Sequence, residues 1–209
     1  MIPLVPGLRM ERIHVGTRIR LAAPDDTEQI LAIYSPYVRD TSISFELIVP
    51  TVAEMRSKIT EVAQRYPWLV SEASEGITGY AYASRHRERA AYQWSVDVSV
   101  YIQSEHHGMG LGTRLYDALF KILVDQGYHN AYAGITLPNP ASVALHEKMG
   151  FTSIGIYRGV GYKLNAWHDV GWWHLKLADT NVPPTPPKSI ASLLKSTAKD
   201  AYRKYGILI

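Results

Sequence analysis

His107-Gly108-Met109-Gly110-Leu111-Gly112 is the stretch on which the fold turns. Before it, Trp94, Val96, Val98, Val100 and Ile102 alternate, which predicts a strand over 90–102 with one apolar side. After it, Leu115, Leu119, Ile122 and Leu123 recur at helical spacing, and Gly127 suits the C-terminal cap. A glycine-rich turn between a strand and a helix lets several backbone N–H groups converge. With the positive end of the helix behind them, those groups bind a phosphate. Two common phosphate loops do not fit. A dinucleotide fingerprint needs glycine where Thr113 stands and an acidic residue ~20 positions on, and Asp125 comes too soon. A P-loop needs Lys followed by Ser or Thr after its last glycine. Taken alone, the loop is also compatible with a tight structural turn.

The flanking pattern supplies the context. Residues 17–22 read as a strand, and Pro24–Asp26 opens a helix with Gln29, Ile30, Ile33, Tyr34 and Tyr37 inward. Residues 41–49 are irregular. Thr51, with Glu54 three positions on, predicts a capping box for a second helix ending near Tyr66-Pro67. Residues 68–72 and 77–84 read as a hairpin around Ser74–Gly76. Residues 130–136 read as a strand, Pro138–Pro140 leads into a short helix stopping at Gly150, and 151–157 and 163–177 read as the last strands. The order predicts a mixed α/β (α+β) chain on one central sheet.

The chain has 209 residues, 46% hydrophobic and 20% charged, enough for one domain with a substantial core. It contains no cysteine, which excludes disulfides, thiolate metal sites and a cysteine nucleophile. Net charge is +3, but residues 180–209 hold five of the 22 cations and one of the 19 anions. The remaining 179 residues carry 17 basic and 18 acidic groups, so charge gives no argument for nucleic-acid binding. No apolar run approaches the ~20 residues of a membrane span, and residues 1–17 lack the apolar block of a secretory signal. A cytoplasmic protein is expected.

Three segments follow: an extension over 1–16, a globular body over 17–178, and a tail over 179–209. In the tail, 182–187 contains four prolines and reads as an extended linker. Ile190, Leu193, Leu194, Ala198, Ala201 and Tyr205 then mark one basic amphipathic helix. Docking on the body or on a second subunit is the favoured use of its apolar face, ahead of a membrane surface.

Within this order of elements, residues 107–112 resemble the Q/R-x-x-G-x-G/A loop of the GNAT N-acetyltransferases, with His107 at the Gln/Arg position. Arg65-Tyr66-Pro67-Trp68-Leu69-Val70, Leu137-Pro138-Asn139, His146-Glu147 and Trp167-His168-Asp169-Val170-Gly171 are similar to the phosphinothricin and methionine sulfoximine/sulfone acetyltransferase branch. The resemblance implies a GNAT fold, a mixed central sheet with splayed middle strands flanked by helices. It implies acetyl-CoA as co-substrate, no metal, a small amino acid as acceptor and a homodimer. By the same resemblance, Val100, Tyr101 and Ile102 hold the pantetheine arm through main-chain groups. Gly108, Met109, Gly110, Leu111, Gly112 and Thr113 hold the pyrophosphate, and Asn139 and Ser142 contact the arm from the other side. Phe45, Arg87, Arg89 and Tyr92 surround the acceptor.

Acetyl transfer to an α-amine needs a base to free the nitrogen lone pair and a donor for the oxyanion. Without cysteine, direct attack is the simplest route. Asp97 is the only carboxylate in the 94–102 run and is the candidate base, where the family usually has Glu. A solvent-facing Asp97 is the alternative. His146 is the candidate acid for the departing thiolate, with a buried structural histidine as the competing assignment. Arg87 and Arg89, two apart at a strand mouth, are expected to share a side and to grip a carboxylate, Arg89 as anchor and Arg87 as helper. His168 and Asp169 are assigned to packing rather than metal binding, and Trp172 and Trp173 to core and subunit interface. The expected activity is N-acetylation of a phosphinothricin-like or methionine sulfoximine/sulfone-like amino acid. Acetylation of another small amine, or a non-catalytic acetyl-CoA-binding regulatory module, is the alternative.

Overall fold

The computed structural model describes residues 17–179, 183–196, 200–203 and 207–208. The 1–16 extension lies outside them. The ordered chain runs β1 (Arg18–Leu21), α1 (Thr27–Asp40), α2 (Val52–Ala63), β2 (Trp68–Ala73), β3 (Gly76–Arg85), β4 (Ser95–Ile102), α3 (Leu111–Gln126), β5 (Asn130–Leu137), α4 (Pro140–Lys148), β6 (Thr152–Lys163), β7 (Ala166–Lys176), α5 (Ile190–Ser196), α6 (Asp200–Arg203) and β8 (Ile207–Leu208). The strands form one mixed sheet in the order β6-β7-β5-β4-β3-β2-β1-β8.

Local chemistry accounts for the element ends. The capping box forms, with Glu54 N–H donating to Thr51 Oγ1 at 3.2 Å and Thr51 N–H donating to Glu54 Oε2 at 2.8 Å. Gly127 takes a left-handed conformation at the end of α3, its φ at +93°. Two expectations need correction. The strand expected over 90–102 begins only at Ser95, because β3 ends at Arg85, opposite Val96, and offers nothing for 90–94 to pair with. Ala90–Tyr92 turns as a 3-10 helix instead. Second, β6 continues to Lys163, and the hairpin turns at Leu164-Asn165.

Two cores sandwich the sheet. On one face α3 lays Leu115, Leu119, Ile122 and Leu123 over Leu69, Ala81, Ala83, Val96 and Ala131, all fully buried. Each such large side chain contributes about 1.5–3 kcal/mol. On the other face, Ile30, Ile33, Met55 and Ile59 of α1 and α2 cover Trp68, Val70 and Tyr80. Trp68 stacks on Tyr82 there, centroids 4.1 Å apart. The tail joins the α3 face. Ile190, Leu193, Tyr202 and Ile207 are buried in that core, and β8 extends the sheet by pairing parallel to β1. Gln126 fixes the approach by donating to the carbonyls of Arg65 and Lys188, both at 2.8 Å. Ala198 and Tyr205 of the expected helix, and Val182 of the linker, lie outside the described residues. Among the described residues no helix is long and apolar enough to cross a membrane.

Candidate active site

β4 and β5 run parallel and pair only over three positions, Ser95 with Asn130, Val96 with Ala131 and Asp97 with Tyr132. Beyond Asp97 they part. β4 stays with β3 as far as Ile102 opposite Gly79, and β5 stays with β7 as far as Leu137 opposite Asp169. A gap therefore opens in mid-sheet, and Asp97 sits where it begins. Gln103 N–H donates to Thr78 O at 2.9 Å, so residues 97, 99, 101 and 103 carry the hydrogen-bonded pairs with β3. By the alternation of an antiparallel ladder, the main-chain groups of 98, 100 and 102 turn toward the gap. Val100 thus offers both N–H and C=O to a peptide-like arm. The Ile102 carbonyl is taken by the Tyr37 hydroxyl and by His107 Nε2, the latter at 3.0 Å. Tyr101 is a correction. Its main chain pairs with Tyr80, and its ring packs against Tyr34, Tyr37 and Tyr80, away from the gap.

At the far end of β4 the glycine loop opens α3. Gly108 and Gly110 have φ of +75° and +77°, and a Cβ on either would meet nothing within 4 Å. They are needed for backbone conformation, not for room. Gly112 is needed for room, since its Cβ would stand 2.9 Å from Leu145 Cδ2 of α4. Among the described residues, the N–H groups of 108 to 113 find no acceptor. The ladder resumes with Arg114 N–H on Gly110 O at 3.2 Å. Six unpaired donors at a helix N-terminus fit a diphosphate, and the gap behind them fits an amide-bearing arm, so the residues present suit acetyl-CoA. His107 acts beside the cradle rather than in it. Its Nε2 lies 2.9 Å from the Tyr37 hydroxyl, and the pair closes the end of β4.

α4 forms the other lip. Asn139 caps it, its Oδ1 accepting from Ser142 N–H at 3.1 Å. Those two atoms are spent on the helix, leaving the Asn139 amide N–H for a ligand, while the Ser142 hydroxyl lies 3.4 Å from His146 Nδ1. His146 departs from expectation. It is buried against Tyr116 and Phe151. Nδ1 meets the Ser142 carbonyl at 2.8 Å, so it carries the proton, and Nε2 accepts from the Tyr116 hydroxyl at 3.0 Å. Burial holds its pKa below the ordinary value. A neutral ring with both nitrogens engaged inside the protein is a packing element, not an acid poised for a thiolate.

On the α1/α2 side of the sheet a cavity of about 220 Å³ is lined by His86, Arg87, Tyr132, Ile154, Gly155, Tyr157 and Trp172. Asp97 reaches it through His86, whose Nδ1 lies 2.6 Å from Asp97 Oδ1. Burial pushes the Asp97 carboxyl up, against the opposing pull of His86 and Arg87. Arg87 is therefore the arginine at the cavity. Arg89 stands at the N-cap of the 3-10 turn, outside that lining. Tyr92 meets His86 edge-on at 5.9 Å. Phe45 lies farther off, against Gly161, where a Cβ would come within 2.2 Å of its ring. His168 and Asp169 are engaged in the hairpin, His168 Nε2 with Lys163 O at 2.9 Å and Asp169 with Arg158 and Gly159 N–H. Trp173 belongs to the core, and Trp172 lines the cavity. Sequence reasoning missed His86 altogether.

A family model for the acetyltransferase (GNAT) domain matches residues 19–172. The phosphinothricin N-acetyltransferase of Streptomyces viridochromogenes is 36% identical over 175 residues, covering 84% of this chain and 95% of that protein. The L-methionine sulfoximine/L-methionine sulfone acetyltransferase of Pseudomonas aeruginosa is 34% identical over 172 residues, covering 81% of this chain and 100% of its own. Among solved structures, a GNAT superfamily phosphinothricin acetyltransferase from Sinorhizobium meliloti in complex with AcCoA superposes with a TM-score of 0.78. It is 31% identical and covers 82% of this chain and 94% of that one.

Proposed function

Because the chain belongs to the GNAT acetyltransferases, of the phosphinothricin/methionine sulfoximine type, we propose that it transfers acetyl from acetyl-CoA to the α-amine of a compact, acid-bearing amino acid. Acetyl-CoA supplies the activated acetyl group as its thioester. The unpaired N–H groups of 108–113 hold the diphosphate, and Val100 and Ile102 N–H, with Asn139 and Ser142, line the path of the arm toward Asp97. Arg87 orients the acceptor's carboxylate or its phosphinate-like group through a bidentate fork. Asp97 supplies the negative charge that draws the proton from the amine.

The observation that carries this reading is a coincidence of position. The β4/β5 pairing ends at Asp97 and Tyr132, and the cavity that Arg87 lines abuts the same two residues. Its 220 Å³ suits an amino acid. The protein acts as a homodimer, in a reading supported by the hairpin of β6 and β7. That hairpin exposes Ile154, Ile156, Val160, Tyr162 and Trp167, apolar side chains of the kind an interface covers.

The test is release of free thiol from acetyl-CoA in the presence of phosphinothricin, methionine sulfoximine, methionine sulfone, the common amino acids and small amines lacking a carboxylate. The expected result is turnover confined to the acid-bearing acceptors. Tight acetyl-CoA binding with no turnover on any of them would assign a binding module instead.

A further inference from the structure

His86 is the half-buried titratable group at the cavity that the reading above leaves without a task. Its side chain is only 11% exposed. The ring stacks on Tyr132 at 4.3 Å and 14°, and the edges of Tyr92 and Trp172 confine it from two further directions. Its Nδ1 lies 2.6 Å from Asp97 Oδ1. With the carboxylate accepting, Nδ1 carries a proton, and the ring in its neutral form presents the Nε2 lone pair to the cavity. His86 is itself part of the cavity wall; Asp97, its side chain 31% exposed, is not among the lining residues and meets the cavity through the ring it holds. The charged and titratable groups around it are Asp97 on β4, Arg87 beside it in the chain, Tyr92 from the 3-10 turn, and Tyr132 on β5 with His174 of β7 behind it at 5.0 Å.

From this geometry we propose that His86 is the catalytic base of the acetyl transfer and that Asp97 is its positioning residue, the pair working as a dyad. The proposal rests on the acetyltransferase reading above. The acceptor's ammonium group gives one proton to His86 Nε2, which passes it to solvent, while Asp97 stabilises the imidazolium. The freed nitrogen lone pair forms the new C–N bond, and the carbonyl π pair moves onto oxygen. That pair returns as the C–S bond breaks with its electrons on sulfur. The second proton leaves nitrogen and ends on the thiolate, so one proton is released per turnover. A carboxylate one methylene shorter than Glu is thereby extended into the cavity by an imidazole.

Kinetics and NMR test this on the full chain. His86→Ala and Asp97→Ala each lower kcat by roughly 10²–10⁴, with a much smaller change in acceptor KM, and the double variant is no slower than the worse single one. Added imidazole restores His86→Ala and not Asp97→Ala. In the wild-type protein without acetyl-CoA, proton NMR shows a far-downfield, slowly exchanging imidazole N–H that disappears in both variants. His86→Phe keeps the stack on Tyr132 and serves in place of the alanine variant if that one fails to fold. Wild-type-like kcat in a His86 variant, multiplicative losses in the double variant, or absence of the downfield proton from wild type would each overturn the dyad while leaving the acetyltransferase reading intact. A wild-type enzyme that turns over no acceptor overturns both.

Discussion

Replacing Gly110 by alanine probes the cradle without touching any contact. A Cβ at that position meets nothing within 4 Å, so the substitution adds no clash. What it changes is the backbone, since φ of +77° is costly for any residue with a Cβ. Holding a non-glycine residue there costs on the order of 1–3 kcal/mol, offset by about 0.4–1 kcal/mol of lost freedom in the unfolded chain. The net of about 1–2 kcal/mol has two outlets. If the loop keeps its shape, stability falls by that amount. If the loop relaxes, the N–H groups of 108–113 no longer converge, and the same energy appears as about 5- to 30-fold weaker binding. The loop has no packing neighbour at Gly110 to hold it, so the second outlet takes most of the loss. Calorimetric titration with CoA, beside a thermal melt, separates the two. Asparagine tolerates left-handed φ better than alanine, so Gly110→Asn falls between wild type and Gly110→Ala. Equal CoA affinity in all three proteins would refute the cradle, because the donors would then not depend on the conformation that aims them.

Arg87→Ala raises the acceptor KM about 10- to 150-fold, the worth of a charge-assisted hydrogen-bond pair, while Arg89→Ala leaves it nearly unchanged; steady-state kinetics with a saturating co-substrate decides between them. His146→Leu orphans the buried Tyr116 hydroxyl and costs about 1–3 kcal/mol of stability by denaturant melts, yet leaves the alkaline limb of the rate profile where it was. Acid sensitivity follows from Glu72, held down to about 2 by Arg20 and then Arg18, against an ordinary value of 4.5. A depressed carboxylate stabilises the fold above its unfolded pKa, so this contribution is complete above pH 4.5 and is lost as pH falls toward 2. Glu72→Gln flattens the melting-temperature curve in that window and no other.

The elements the sequence made legible are those whose signals are local. α3 announces itself through four apolar positions on one face, and α2 through Thr51 and Glu54. What a local pattern misses is partnership. Ala90, Tyr92 and Trp94 extend the alternation of β4, but alternation does not reveal that β3 has already ended opposite Val96. The two arginines part for a related reason. Two residues two apart share a side only in extended chain, and Arg89 instead begins a 3-10 turn that carries it off from Arg87. The tail's apolar stripe was visible, but that Ile190, Leu193 and Tyr202 turn onto the α3 face answers to the surface the tail meets. His86 carried no signal, because its meaning comes from a residue eleven positions away across a strand pair.

The short junction between the sheet's two halves links these observations. Three residue pairs are all that bind β4 to β5, and everything the site requires follows from where they stop. A longer parallel ladder would close the gap and turn the main-chain groups of Val100 into ordinary sheet partners. A shorter one would cut the sheet and leave Asp97 without Tyr132 beside it. With the ladder ending at that pair, Tyr132 becomes the platform on which the His86 ring lies, and Asp97 becomes the group that ring must bond. The entry for an acetyl donor and the seat of a base are thus one structural feature. Any substitution that lengthens or frays the Ser95–Asp97 pairing should therefore disturb donor binding and proton removal together.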